Sequence, residues 1–396
     1  MDIYFDAQCY YEHGHWYGSL LRFSNLDEGS AIAIPSLTRT WSSVRDAERT
    51  GQRHFFIDGV PEMRATRSQL VQSRNVLLAA TGKPPMGAMF SRFWSLCAWV
   101  KSFQTNPPRI WRGLENSNIR NLGIEKFVIP TADNFSRNVL ACAWALLRTK
   151  ATVHVRFVNS EPVGTRTWSI VLRYVPQRYL RRVKIAVEHD GLKNLFRSAG
   201  FEITSVPYPA AKCFTRDSKA NFKVIDSGFT VGLLGAPRDS KGYANYKMII
   251  ESIVEAESTV KILAQVRDRD REIFSLISSS VEPVDELGSS SDFENNLRRT
   301  HILVLPYEVN SYKQTSSAMV MEAAERGIPV IAPSETGLGR EVSRHGLGLT
   351  YLNIKEIPAL VVNLSDPGSY KKAQESIERY NIWRNKQTSY WLKIVP

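Results

Sequence analysis

Cysteine is scarce in this chain of 396 residues: Cys9, Cys97, Cys142 and Cys213 stand far apart, with no C-x-x-C pair. Neither a zinc site nor a disulfide framework is suggested, and a reducing compartment fits. Long apolar runs are also missing. The best candidates, FSRFWSLCAWV and VLACAWALL, fall well short of the ~20 residues that a spanning helix needs. The opening MDIYFDAQ runs straight into an acidic, strand-like stretch, so no secretory leader is expected. There is no internal repeat, no low-complexity tract and no G-x-G-x-x-G, which counts against a dinucleotide redox enzyme.

What the chain does have is an uneven charge. The net formal charge is +12. Residues 1–215 carry 28 Lys and Arg against 16 Asp and Glu, whereas residues 216–396 carry 23 of each. The whole excess lies in the first half, which should favour an anionic partner such as a nucleic acid, a membrane surface or a phosphorylated substrate. The segment RTWSIVLRYVPQRYLRRVK (166–184) holds six cations and no acid, with Trp168, Tyr174 and Tyr179 interleaved. That pattern suits an anionic membrane face or nucleic acid, and equally a solvated helix face over some core aromatics.

Both halves alternate short β-rich runs with helical segments. DIYF, AIAI, HFFIDGV, NVLLAA, KFVIP, TVHVRFV and VKIAVE read as strands in the first half; FTVGLLG, TVKILAQV, HILVLPY, IPVIAP and GLGLTYL do so in the second. Between the latter lie NYKMIIESIVEA, DREIFSLIS, FENNLRRT and SSAMVMEAAERG. The alternation predicts two α/β domains, each a doubly wound parallel sheet, with ligands at the C-terminal strand ends in a cleft. The division is expected in the polar stretch PYPAAKCFTRDSKANFKVIDSG. An N-terminal domain of 1–215, a second domain of 225–369, and a long amphipathic helix over 370–396 that completes the first domain are the expected parts.

Two stretches point to chemistry. In LLGAPRDSKGYANYKMII a strand ends and a loop with Arg238 and Lys241 leads into a helix. Two cations beside a helix start suit a diphosphate, although a solvated basic turn is the commoner use of such residues. In QTSSAMVMEAAERGIPVIA, Thr315, Ser316 and Ser317 are N-cap residues whose helix start would also stabilise an anion. Met319, Val320, Ala323 and Ala324 form the apolar stripe, with Glu322 at its margin. Glu322 could accept two ribose hydroxyls, or simply pair with Arg326 four residues on. Further along, Gly337 and Gly339 let backbone approach either a ligand or another turn.

The order of these parts resembles the C-terminal domain of the retaining GT-B glycosyltransferases, and most of all their family 4. The resemblance rests on G-x-x-R-x-x-K-G after a strand, then D/H-I-x-V-L-P, S-S-x-x-x-x-E-A-x-x-x-G-x-P-V-I-A and G-L-G-x-E-V, over about residues 228–350. The first half is similar in outline, with VKIAVEHDGLKNLFRSAGFEITSVPYP as a final strand-helix-strand. The resemblance implies a GT-B fold of two Rossmann-like domains and transfer from a nucleotide-diphosphate sugar, with no metal and no other cofactor. It implies that Arg238 and Lys241 hold the leaving diphosphate, that Thr315, Ser316 and Ser317 face the phosphates, and that Glu322 holds the ribose. Gly14, in the loop CYYEHGHWYGSL, would approach the phosphates. The family's sugar-contacting glutamate falls on Gln314 here, which brings no charge; LPYEVNSYKQTSS looks like the tyrosine-rich version of this loop that lacks the acid.

Asp133, after KFVIP, and His154, in TVHVRFV, are the acceptor-side candidates at strand ends. A histidine in an apolar strand is more often part of the core. The expected partners are a nucleotide sugar and a glycan or lipid-pyrophosphate-linked acceptor, with peripheral contact to an anionic membrane through 166–184 and no nucleic acid. A cytoplasmic place, at the inner membrane face, follows from that reading. The rivals are a nucleotide-sugar epimerase of similar fold and a degenerate GT-B protein that binds a glycan or anionic partner without turnover.

Overall fold

The computed structural model describes residues 1–5, 15–27, 29–35, 38–39, 41–57, 107–132, 136–157, 176–188, 193, 203–210, 229–285, 290–313 and 315–393. Two parallel sheets carry the fold. The first has the order β3-β2-β1-β4-β5-β6-β7. Its strands are β1 (Asp2–Phe5), β2 (Ala31–Pro35), β3 (Arg53–Ile57), β4 (Lys126–Ala132), β5 (Thr152–Phe157), β6 (Val183–Val187) and β7 (Ile203–Ser205). The second has the order β10-β9-β8-β11-β12-β13. It is built from β8 (Thr230–Leu233), β9 (Lys261–Val266), β10 (Val281–Asp285), β11 (Ile302–Val304), β12 (Val330–Pro333) and β13 (Gly348–Tyr351). Both orders reverse beside the first strand of the sheet, at β1/β4 and at β8/β11. This is the doubly wound pattern, in which the crevice at the reversal is the ligand site.

By contacts the chain divides into two compact units. One holds Met1–Arg156, Val163–Lys184 and Val395–Pro396; the other holds Phe157–Pro162 and Ile185–Ile394. The run NVLLAA lies outside the described residues.

The alternation of side chains along β8, β9, β11 and β12 splits the second core into two layers. Val231, Leu233, Ile262, Ala264, Ile302, Val304 and Ile331 face the helices Tyr246–Ala256 and Ile357–Ser365. Leu263, Leu303, Leu305, Val330 and Ala332 face the apolar stripe of the helix Ala318–Glu325, together with Leu338, Val342, Ile377 and Tyr380. Such two-sided burial is why these strands read as near-continuous apolar runs. β10 escaped the pattern because VEPVD carries two acids and a proline. Among the described residues it pairs only with β9, and an edge strand tolerates proline because half of its backbone makes no ladder bond. The C-terminal segment forms one continuous helix, Pro367–Lys393, with no break.

In the first unit, the basic segment is described from residue 176 onward. Arg182 is not a surface charge in use. Its guanidinium donates to the carbonyls of Leu146 (3.1 Å), Thr149 (2.8 Å) and Ala151 (2.6 Å), at the end of the helix Ser136–Arg148. A cation on the last carbonyls of a helix satisfies orphan acceptors and the helix dipole together. Arg178 and Arg181 are exposed. Among the described residues no helix is long and apolar enough to cross a membrane.

Candidate functional site

At the reversal point of the second sheet, the loops after β8 and β11 meet. The β8 loop leaves through Gly235, whose φ of +120° favours glycine, and the Gly235 N–H donates to Gln265 Oε1 at 2.7 Å. Gln265 Nε2 in turn donates to the Asp285 carbonyl at 3.2 Å, so one amide ties the ends of three strands. Residues 239–241 form a 3-10 turn that closes at Gly242, with φ of +77°. There the loop crosses the β11 loop so closely that a β-carbon at 242 would lie 1.7 Å from the Pro306 carbonyl oxygen. The Glu308 N–H donates to the Ser240 carbonyl at 3.0 Å, locking the two loops together. Gly242→Ala is therefore expected to destabilise the second unit by about 2 kcal/mol, through backbone strain and displaced loops. A melting curve unchanged from wild type would contradict this docking.

The docking brings Arg238, Lys241, Tyr307 and Ser317 together. Lys241 Nζ lies 3.3 Å from where a Gly235 β-carbon would be and 5.5 Å from the Tyr307 ring centroid. Burial, and then the charge of Arg238, lower the Lys241 pKa to about 8. Arg238 is exposed. Among the described residues neither cation has a carboxylate within ion-pair distance. Among the described residues these two like charges lie side by side without a counter-ion, an arrangement able to accept an anion. Tyr307 is buried, which pushes its phenol pKa up, and its Oη accepts a hydrogen bond from Ser317 Oγ at 3.4 Å.

Ser317 is the N-cap, accepting from the Met319 N–H at 3.2 Å, and the helix begins at Ala318. The start is later than the sequence suggests: Thr315 and Ser316 precede the helix. The Thr315 N–H is already spent on the Tyr312 carbonyl at 3.3 Å. Among the described residues, the N–H groups of Ser316, Ser317 and Ala318 donate to no protein acceptor. Those N–H groups and the two cations offer an anion donors from both loops.

Glu322 makes the ion pair that the i,i+4 spacing allows, with Arg326 Nη1 at 2.8 Å. Arg326 also grips Glu294, which takes a second bond from Arg298 Nε at 3.0 Å. Burial alone would raise the Glu294 pKa; Arg326 and Arg298 outweigh it and hold the carboxyl below its usual range. Glu322, on the helix Ala318–Glu325, is thus held in place by a charged network that reaches Glu294 and Arg298 on the helix Ser290–Arg299.

Gly337 and Gly339 serve close backbone packing: β-carbons there would lie 2.6 Å from the Thr315 carbonyl oxygen and 1.8 Å from that of Pro333. Gly14, Asp133 and Gln314 lie outside the described residues. His154 is wholly buried in β5, and burial, reinforced by Lys126, lowers its pKa to about 4. It is a neutral core imidazole in the first unit. Gln265 was not singled out from the sequence; Gly242, Tyr307 and Tyr312 stood inside the quoted motifs without a role of their own. One signal was available for Gln265: a lone amide near the C-terminal end of a strand that is apolar after Lys261.

Beside Gln265 a cavity of about 320 Å³ opens at the C-terminal ends of the strands. Leu234, Val284, Phe293, Asn295 and Asn296 are among its walls. The ion pairs Arg271–Asp285 and Arg299–Glu282 border it. Among the described residues no three His, Cys, Asp or Glu side chains stand close enough together to hold a metal ion.

No protein-family model and no curated protein sequence matches this chain. Solved structures do. HepE of Anabaena, in complex with UDP-glucose, superposes with a TM-score of 0.59 at 9% identity, covering 99% of each chain. The lipopolysaccharide outer core galactosyltransferase WaaB, in its apo form, gives 0.52 at 11% identity over 100% of both chains. A UDP-N-acetylglucosamine 2-epimerase gives 0.56 at 15% identity, covering 100% of this chain and 97% of its own. With its two parallel-sheet α/β domains, the chain has the two-domain, Rossmann-like GT-B fold that the motif order led us to expect.

Proposed function

We propose that this protein is a glycosyltransferase that moves a sugar from a nucleotide-diphosphate sugar to a hydroxyl of a glycan or lipid-linked glycan. The observation that carries the reading is the convergence of Arg238 and Lys241 on the open helix start at Ser317, at the reversal point of the second sheet. As the bond from the anomeric carbon to the diphosphate breaks, charge develops on the leaving oxygen. Two cations and a helix start stabilise that charge, and such electrostatic stabilisation is commonly the largest catalytic term. No metal is needed in this reading, because the protein's own cations balance the diphosphate.

The base is assigned to the cavity beside Gln265, where Asn295 and Asn296 offer donors and acceptors and Phe293 an apolar wall. Glu322 is assigned to the ribose and Gln314 to the donor sugar. HepE binds UDP-glucose on the same fold, which supports a UDP-sugar donor. The family 4 motif order supports retention at the anomeric carbon. A role in cell-surface polysaccharide or glycolipid synthesis, with the basic first half drawn to an anionic acceptor or membrane face, completes the reading.

The fold likeness to a 2-epimerase favours one alternative, an isomerase of the nucleotide sugar itself. A thermal-shift panel of UDP, GDP, ADP, dTDP and CMP tests the donor site. A nucleotide at a hundred times its dissociation constant should stabilise the fold by about 2.7 kcal/mol. A shift with UDP alone is expected, and no shift with any diphosphate would sink the proposal. With a UDP-sugar donor, release of UDP with formation of a glycoside marks the transferase. Recovery of an isomerised sugar marks the epimerase.

A further inference from the structure

A second cavity, of about 510 Å³, lies within the second compact unit, away from the cavity beside Gln265. Its volume falls in the ~300–1,000 Å³ range of ligand pockets. One wall is the helix Gly337–His345, and another is the C-terminal helix with Trp383 and Gln387. The rest includes Glu188 and Thr204 from the ends of β6 and β7.

Trp383 is the distinctive member. His345 braces its indole at a ring-centroid distance of 4.7 Å, and Tyr380 stacks on it at 5.7 Å. Trp383 is only half-buried, so a rigid aromatic surface borders the cavity. Around it stand the carboxylates of Glu188 and Glu341, the cations Lys193, Arg340 and Arg344, the Gln387 amide and the Thr204 hydroxyl. An aromatic wall with donors and acceptors on several sides suits a pyranose ring. The C–H face of the sugar packs against the electron-rich ring, and its hydroxyls each donate to one group and accept from another.

The cavity also adjoins the anion site. Gly337, in its wall, packs against the Thr315 carbonyl, and Arg340 donates to the Lys313 carbonyl. The chain leading into the Ser317 helix start therefore borders it.

We infer that this cavity binds a sugar ring of the acceptor glycan, with Trp383 as the stacking platform and Glu188, Thr204 and Gln387 as hydroxyl partners. The role as acceptor pocket rests on the transferase reading; the glycan affinity itself does not. The test is an array of immobilised bacterial and eukaryotic glycans, probed with labelled full-length wild type, Trp383→Ala, Gln387→Ala and Lys241→Met, beside UDP titrations of all four.

Selective glycan binding by wild type is expected, weakened at least tenfold in Trp383→Ala and severalfold in Gln387→Ala, with UDP affinity within twofold of wild type in both. Lys241→Met should keep its glycans. Because Trp383 also packs on Tyr380, Gln387→Ala serves if Trp383→Ala misfolds. Wild-type protein that binds UDP but no glycan overturns the pocket, as does equal glycan binding by wild type, Trp383→Ala and Gln387→Ala. Glycan binding without UDP binding would leave the pocket standing and remove the transferase reading.

Discussion

Lys241→Met is expected to weaken UDP binding by about 1.5–3 kcal/mol, the range for a hydrogen bond to a charged group. It should also remove most of the pH dependence of binding above neutrality. In the free protein, burial and the neighbouring Arg238 bring the Lys241 pKa down to about 8. A bound diphosphate favours the ammonium and raises that pKa. Below pH 7 the lysine is already charged and affinity is at its plateau. Above pH 8 binding must take up a proton, so affinity should fall towards tenfold per pH unit until the bound-state pKa is reached. Isothermal titration of UDP between pH 6 and 9.5 reads this directly. A flat profile in wild type, or the same slope in Lys241→Met, would mean that Lys241 does not face the phosphates. Arg238→Ala should cost about the same 1.5–3 kcal/mol. It should also shift the onset of the fall to higher pH, because the charge that helps to depress Lys241 is gone.

The largest stability effect is expected from Arg384→Ala. Arg384 is wholly buried on the C-terminal helix, with Nη2 at 3.3 Å from Glu325 Oε1 and Nη1 at 3.5 Å from the Tyr208 carbonyl. Its neighbours on the same helix hold the same strip of chain. Thr388 Oγ1 donates to the Pro207 carbonyl at 3.1 Å, and Asn385 Oδ1 accepts from the Ala210 N–H at 2.7 Å. Truncation leaves the buried carboxylate of Glu325 without this partner and opens a cavity, a combination that costs about 3–5 kcal/mol. The double variant Arg384→Met with Glu325→Met should be far less damaged, because both desolvated charges leave together. Urea denaturation of wild type, single and double variants tests this. A loss under 1 kcal/mol in Arg384→Ala would mean that the pair does not hold the helix.

The local structure around the candidate site depends on neighbouring positions in the chain and was legible in the sequence. Arg238 and Lys241 sit in a loop bounded by an apolar strand and a helix, and Ser317 precedes a helical stripe, so each announces a local structure. Glu322 was ambiguous for a physical reason. The i,i+4 spacing that permits its pair with Arg326 says nothing of Glu294, which arrives from another helix and holds Arg326 from the far side. β10 was missed because an edge strand needs no apolar alternation. The role of Arg182 was hidden because the carbonyls it caps belong to residues more than thirty positions away.

The alternation of apolar strands with amphipathic helices, together with the placement of glycines and caps, was enough to dictate two doubly wound sheets and the two strand-to-helix loops that carry Arg238, Lys241 and Ser317. Periodicity reports which face of an element is buried, and caps report where it starts. Neither carries information on distances between loops that are seventy residues apart. The crossing of the Gly242 turn over Pro306 put Lys241 beside Tyr307 and Ser317 and lowered its pKa, and the stacking of Trp383 on Tyr380 and His345 made one face of a cavity. Those juxtapositions arise when the sheet order brings β8 against β11 and folds the C-terminal helix back on the helices of the second unit. They depend on the packing of whole layers and could not be read from any one segment.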